Sequence, residues 1–181
     1  MELLGVNADK HIIFPMLLTS SDIDNCCQSV VAHSKSYDMY SYIIFDSLYK
    51  TGLRINELLD YSRISIIDTN SVLVQTQKFS NPRVISITDF NPVYISHLAS
   101  GSLDAFIRSY SYYSEKMFLY NSLFHKLYIN SKRISTHLYR HNFVKKLFAD
   151  GFSISQISNT IGERDDKNTL GYVYSQISSL G

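Results

Sequence analysis

Between Ser135 and Tyr174 the chain reads STHLYRHNFVKKLFADGFSISQISNTIGERDDKNTLGYVY, which contains His137-x-x-Arg140, Ile161-Gly162-Glu163 and Thr169-x-x-Tyr172. An imidazole, a guanidinium and a phenol at fixed intervals on short helical patterns are the groups needed to hold a phosphate diester and attack it with a tyrosine. Two further cations lie upstream: Arg54, after Thr51-Gly52-Leu53, and Lys78, which opens Lys78-Phe79-Ser80-Asn81-Pro82. Arginine offers phosphate oxygens a planar fork of donors, and lysine offers a point charge. The chain has 14 tyrosines, so a phenol near a motif carries little weight and spacing must decide. Tyr174 is the rival of Tyr172, and on one helix the two point about 200° apart, so they cannot share a role.

The elements that must position these residues can be read from caps and periodicity. Pro15 makes residues 1–18 an extended lead-in. Thr19-Ser20-Ser21-Asp22 supplies helix caps, and Ile23, Cys26, Cys27, Val30 and Val31 follow at helical spacing to about His33. A second helix runs from about Tyr37 to Lys50, with Tyr40, Ile43, Ile44, Ser47 and Leu48 on one face, and stops at Thr51-Gly52. A third runs from Ile55 to about Tyr61, which puts Arg54 at a helix N-terminus where backbone N–H groups also face an anion. Ser71–Gln77 and Arg83–Thr88 are β-branched and flank turn chemistry, so they predict a hairpin with Lys78 at its tip. Helix returns from Asn91 and again over Leu103 to Lys116, while Met117 to Ile129 has no clear element. His137 to about Asp150 is helical with Phe143, Val144, Leu147 and Phe148 as its core stripe, closed by Gly151. Ser153 caps a short helix through Ile154, Ile157 and Ile161 that Gly162 ends, and a last helix over Asn168 to Ser178 carries Tyr172. The expected fold class is α+β, mostly α-helical with a small antiparallel sheet, as one domain over 1–181.

Composition agrees with a globular domain: 45% hydrophobic and 18% charged residues, with 7 Gly and 3 Pro. A chain of this length can bury roughly 70% of its unfolded surface. Formal net charge is only +1, so a nucleic-acid surface must come from local clustering. Basic residues gather at His125, Lys126, Lys132, Arg133, His137, Arg140, His141, Lys145 and Lys146, a candidate phosphate-facing surface or else a solvated helix face. The only cysteines, Cys26 and Cys27, are adjacent, which disfavours a mutual disulfide and gives no zinc-ligand spacing. No 18-residue apolar run and no signal-peptide pattern occurs, so a soluble, cytoplasmic protein away from membranes is expected.

With these pieces placed, the sequence resembles the catalytic domain of the tyrosine recombinases, over Leu18 to Ser175. Thr51-Gly52-Leu53-Arg54-x-x-Glu57-Leu58 is similar to the family's first arginine box, and Lys78 with Arg83 five residues later to its hairpin lysine. His137-Leu138-Tyr139-Arg140-His141 is similar to its H-x-x-R-H box, and Gly162 to Tyr172 keeps the spacing to its nucleophile. The resemblance implies a site-specific recombinase or integrase of a mobile element or prophage, cleaving and rejoining DNA through a covalent 3′-phosphotyrosyl intermediate without cofactor or metal. By the same resemblance Arg54 and Arg140 clamp the non-bridging oxygens, Lys78 protonates the leaving 5′ oxygen, His137 assists proton transfer and Tyr172 is the nucleophile. Glu57 would orient Arg54 or be a surface acid. The implied partners are double-stranded DNA, further copies of the chain on that DNA, and accessory DNA-binding proteins.

The pattern departs at Glu163, where the family places a His or Trp that donates to the scissile phosphate. At an effective dielectric of about 20, a carboxylate 4 Å from a phosphate is repelled by roughly 4 kcal/mol before screening. Glu163 could turn away, be held protonated, or leave the donor role to Arg164. Losing one such donor costs about 3 kcal/mol, roughly a hundredfold in rate. The family's N-terminal DNA-clamp domain is not expected in this chain, and only Val173 to Gly181 follow the tyrosine. Two alternatives stand beside the recombinase reading: a catalytically weakened DNA-binding or regulatory protein of the same fold, and a type IB topoisomerase-like activity.

Overall fold

A computed structural model describes residues 16–75, 80–112, 127–129, 132–133 and 135–179 of the chain. Lys78, most of the lead-in and residues 113–126 lie outside the described residues. The first strand, β1 (Met16–Leu17), leads into α1 (Ser20–Tyr37), whose N-terminus is closed by reciprocal bonds between Thr19 and Asp22. Helix α1 runs beyond the expected His33 because Ser34 is buried and bonds back to Val31, extending the inward stripe of Ile23, Cys27 and Val30.

Asp38 ends α1 and caps α2 (Met39–Thr51), which is buried on most sides, including Ile43, Ile44, Phe45, Ser47 and Leu48. Gly52 stops α2 in the left-handed region at φ 67°. A side chain there would also run into the ring of Phe143, so glycine is required twice over. The short α3 (Ile55–Leu59) and a 3₁₀ turn lead to a strand the sequence reading missed, β2 (Ile64–Ile66), which pairs antiparallel with β3 (Ser71–Val74). The expected hairpin forms between β3 and β4 (Arg83–Ser86), with Val74 opposite Arg83, so the sheet has three strands in the order β2-β3-β4.

Helices α4 (Pro92–Ser100) and α5 (Leu103–Tyr112) follow, then the short strands β5 (Leu127–Ile129) and β6 (Lys132–Arg133). Helix α6 (His137–Ala149) turns Leu138, Tyr139, Arg140, His141 and Val144 inward. Of the expected stripe, Val144 is in the core and Phe143 and Leu147 pack against it, whereas Phe148 is 41% exposed. Ser153 caps α7 (Ile154–Ile161) and Gly162 ends it at φ 75°. The last helix, α8 (Asp166–Val173), ends well before the expected Ser178, because Ile177–Ser179 is a strand, β7. Its partners are β1 and β5, in a second antiparallel sheet ordered β1-β7-β5-β6.

Two apolar clusters hold these elements. The larger joins α1 to α5, the three-stranded sheet and the inner residues Leu138 and Tyr139 of α6. The smaller consists of Val144, Ile157, Ile161 and Val173 and holds α7 and α8 against α6. Each fully buried aliphatic side chain contributes about 2 kcal/mol. Helix α6 belongs to both clusters and carries the H-x-x-R-H residues across the seam between them.

Candidate active site

Arg54 follows the Gly52 stop and the buried Leu53, so its backbone is fixed by core packing while its guanidinium stays partly exposed. Its backbone N–H donates to Glu57 Oε2 at 2.8 Å. The expected anion-facing amide is therefore already occupied, and the five-residue α3 adds little dipole. The guanidinium reaches across the hairpin, donating from Nη1 to Ser80 Oγ at 3.2 Å and from Nη2 to Glu163 Oε1.

Glu57 is buried and serves Arg83 rather than the Arg54 guanidinium. Arg83 donates from Nη1 and Nη2 to Glu57 Oε1 and Oε2, each at 3.0 Å, whereas Arg54 Nη1 stands 3.9 Å away. Burial pushes the Glu57 carboxyl up, but the bonds and charge of Arg83 with the Arg54 amide outweigh it and hold Glu57 below the usual range. The Arg83 guanidinium also lies against Gly162, where any Cβ would meet it and the Asn81 carbonyl.

Arg140, in the first turn of α6, is fully buried. It donates from Nη1 to the Gly52 carbonyl at 2.8 Å, and from Nη2 to the Ile161 carbonyl and Glu163 Oε1, both at 2.9 Å. Those carbonyls end α2 and α7, where the helix dipole favours a cation. The two arginines thus converge on a single carboxylate oxygen. Glu163 Oε2 accepts from Asn168 Nδ2 at 3.2 Å, and the residue is only 3% exposed. Its backbone is pinned as well: Ser80 and Glu163 form a β-bridge, Asn81 N–H donates to the Gly162 carbonyl at 2.9 Å, and Glu163 N–H donates to Ser158 at 2.9 Å.

Glu163 does not turn away: its side chain faces the arginines, while the neighbouring Arg164 is exposed. Burial raises the carboxyl pKa, yet the Arg140 bond and the charges of Arg54 and Arg140 prevail, so Glu163 sits below the usual range and is ionised at neutral pH.

Tyr172 projects from α8, held in place because Thr169 is buried and bonded to Ser158 of α7 at 2.7 Å. Arg140 Cζ lies 5.3 Å from the Tyr172 ring centroid. His137 and His141 flank the same ring at 5.4 and 4.8 Å. Tyr174 points elsewhere, 69% exposed and against Phe148. His137 has an exposed edge, but partial loss of hydration, then the charges of Arg140 and Arg54, lower its pKa to about 4, opposed by Glu163. It is neutral at pH 7 and can accept a proton.

Five of the six expected site residues, Arg54, His137, Arg140, Glu163 and Tyr172, therefore meet at the seam between the clusters. The sixth, Lys78, is not among the described residues. A cavity of about 220 Å³ opens beside them between residues 53–56 and 135–137. Sequence reasoning missed Ser80, Arg83, Asn168 and Ser175 as supports, and gave no separate role to His141, which is buried with Nδ1 2.8 Å from Ser175 Oγ. Within the basic cluster Arg140 and His141 are buried and His137 and Lys146 are exposed, while His125 and Lys126 lie outside the described residues. Lys145 donates to the Val173 and Ser175 carbonyls and Lys146 to Asp24 and Tyr49. Among the described residues no group of His, Cys, Asp or Glu is arranged to hold a metal, and no helix is long and apolar enough to cross a membrane.

No protein-family model matches the chain, and no curated protein matches it. A solved structure does: the crystal structure of XerA recombinase superposes with a TM-score of 0.56 at 17% sequence identity. The match covers 89% of this chain and 59% of that one, so the chain spans less than two thirds of that recombinase's length. The likeness is one of fold, the tyrosine-recombinase catalytic-domain fold, mostly helical with small antiparallel sheets.

Proposed function

We propose that this chain performs phosphoryl transfer on double-stranded DNA in the manner of a tyrosine recombinase, with Tyr172 as nucleophile. The observation that carries the reading is the convergence of Arg54 and Arg140 on one anionic oxygen, with the Tyr172 ring stacked beside Arg140. Two guanidinium forks aimed at one oxygen are what the non-bridging oxygens of a pentavalent phosphate require. In the proposed step the Tyr172 oxygen bonds to phosphorus, the bond to the 5′ oxygen breaks, and neutral His137 takes the phenolic proton. Lys78 supplies a proton to the leaving oxygen, in line with the family resemblance. A 5′ hydroxyl reverses the step and rejoins the strand, which needs no external energy.

One observation favours a second reading, a DNA-binding or regulatory protein of this fold with little cleavage: an ionised Glu163 already pairs with both arginines. Incubation with nicked suicide duplexes separates the two. The first reading expects a covalent protein–DNA adduct that Tyr172→Phe abolishes and Tyr174→Phe retains. An adduct surviving Tyr172→Phe overturns the nucleophile assignment, and no adduct even from Glu163→His supports the second reading.

A further inference from the structure

The phosphate-holding arginines are not waiting empty. Arg140 spends its donors on two helix-terminal carbonyls and Glu163, and Arg54 spends its donors on Ser80 and Glu163. We infer that Glu163 is a specificity-determining residue, the resident anion of the phosphate seat, so that DNA enters by exchanging a phosphodiester for the chain's own carboxylate. This rests on the phosphoryl-transfer reading of the same site.

The geometry makes Glu163 a strong competitor. It is intramolecular, so it holds the seat without loss of translational freedom, whereas an incoming anion must give that freedom up. Its backbone cannot drift, because the bridge to Ser80, the Asn81 to Gly162 bond and the Ser158 bond fix the turn. Vacating the seat therefore means rotating the side chain and releasing Asn168, not moving the loop. Both anions cannot share the seat. A carboxylate left beside a phosphate weakens its binding by roughly a hundredfold even after screening. Free oxyanions have only the two arginines to gain and are excluded. A duplex phosphate, fixed by other contacts along the strand, brings the additional binding that displacement requires.

The test uses inorganic phosphate as probe and needs no cleavage. Thermal unfolding is followed with increasing phosphate against chloride at matched ionic strength, for the wild-type chain, Glu163→Gln and Glu163→His. The wild type should not respond, whereas both variants should show a saturable rise in Tm that Arg54→Ala, added to either variant, removes. Losing a buried carboxylate could lower the Tm of Glu163→Gln too far for titration, in which case Glu163→His carries the comparison, its imidazole keeping a polar partner in the site. Duplex affinity, measured by fluorescence anisotropy in a Tyr172→Phe background, should tighten about tenfold or more in either variant. A wild type that gains as much from phosphate as the variants, or a duplex affinity that neither variant changes, overturns the inference. A phosphate response in the variants with no duplex binding by any of them keeps the resident anion and refutes the DNA reading.

Discussion

At the scale of single residues, His141 sits in an environment that contradicts its chemistry in water. It is buried, edge-on to Tyr172, with Nδ1 tied to Ser175 Oγ. Loss of hydration, then the charges of His137, Lys145 and Arg140, push its pKa down to about 3. An unfolded histidine protonates near 6.5, so between that value and about 3 the unfolded chain binds a proton that the folded chain refuses. The folded-state advantage is complete above the unfolded value and shrinks as pH falls. Chemical denaturation should therefore show stability dropping by about 2 kcal/mol between neutrality and about pH 5 from this residue. His141→Asn, which can still bond Ser175, should flatten that slope; an unchanged slope would mean that His141 is not the source. The H-x-x-R spacing singled out His137 and Arg140, and the spacing from Gly162 and Thr169 singled out Tyr172, because each pattern lies within a short stretch of chain. What Glu163 does was not legible, because its partner Arg54 is 109 positions away and sequence shows charge without showing what faces it.

At the scale of elements, the tyrosine helix is short and depends on its neighbours for order. Helix α8 has eight residues, starts on the Asp165 cap, and ends where Lys145 of α6 takes the Val173 and Ser175 carbonyls at 2.8 and 2.9 Å. Isolated helices of this length are unstable in water, so the clamp from α6 sets where Tyr172 stands. Lys145→Met should slow adduct formation on a nicked duplex about tenfold while leaving duplex affinity within about twofold, the expected split for a lost near-attack geometry. A matching loss in affinity would instead make Lys145 a DNA contact. The same scale explains the sequence reading. Thr19, Gly52, Ser153 and Gly162 announce their helix ends through chemistry confined to a few residues. Strands β1 and β7 announce nothing, being two or three residues long and stabilised by partners far along the chain, and β2, though it pairs with the neighbouring β3, is only three residues long. Ile177-Ser178 reads as the end of a helix until Leu17 and Ile129 are seen beside it.

Over the whole molecule, the site lies where two unequal apolar clusters meet. Arg54, Glu57 and Arg83 ride on elements of the larger one, while Glu163 follows the Gly162 end of α7 and Tyr172 lies on α8, helices held by Val144, Ile157, Ile161 and Val173. A cluster of that size supports less local stability than one spanning five helices and a sheet. Native-state hydrogen exchange should find α7 and α8 opening at a free energy several kcal/mol below that of α1 and α2, with protection rising when a duplex binds. Equal protection would mean that the seam is not a boundary in energy. The long span between Arg54 and Glu163 also bears on how the protein is made. Closing a loop of that length costs about 4 kcal/mol in chain entropy beyond a constant, so the pair forms only once both clusters exist. During synthesis Arg54, Glu57 and Arg83 leave the ribosome long before residue 163, and they can pair among themselves while the opposite wall is missing. A chain stalled short of Glu163 would still pair Arg83 with Glu57, but the Arg54 guanidinium would lack the carboxylate that it donates to in the finished fold.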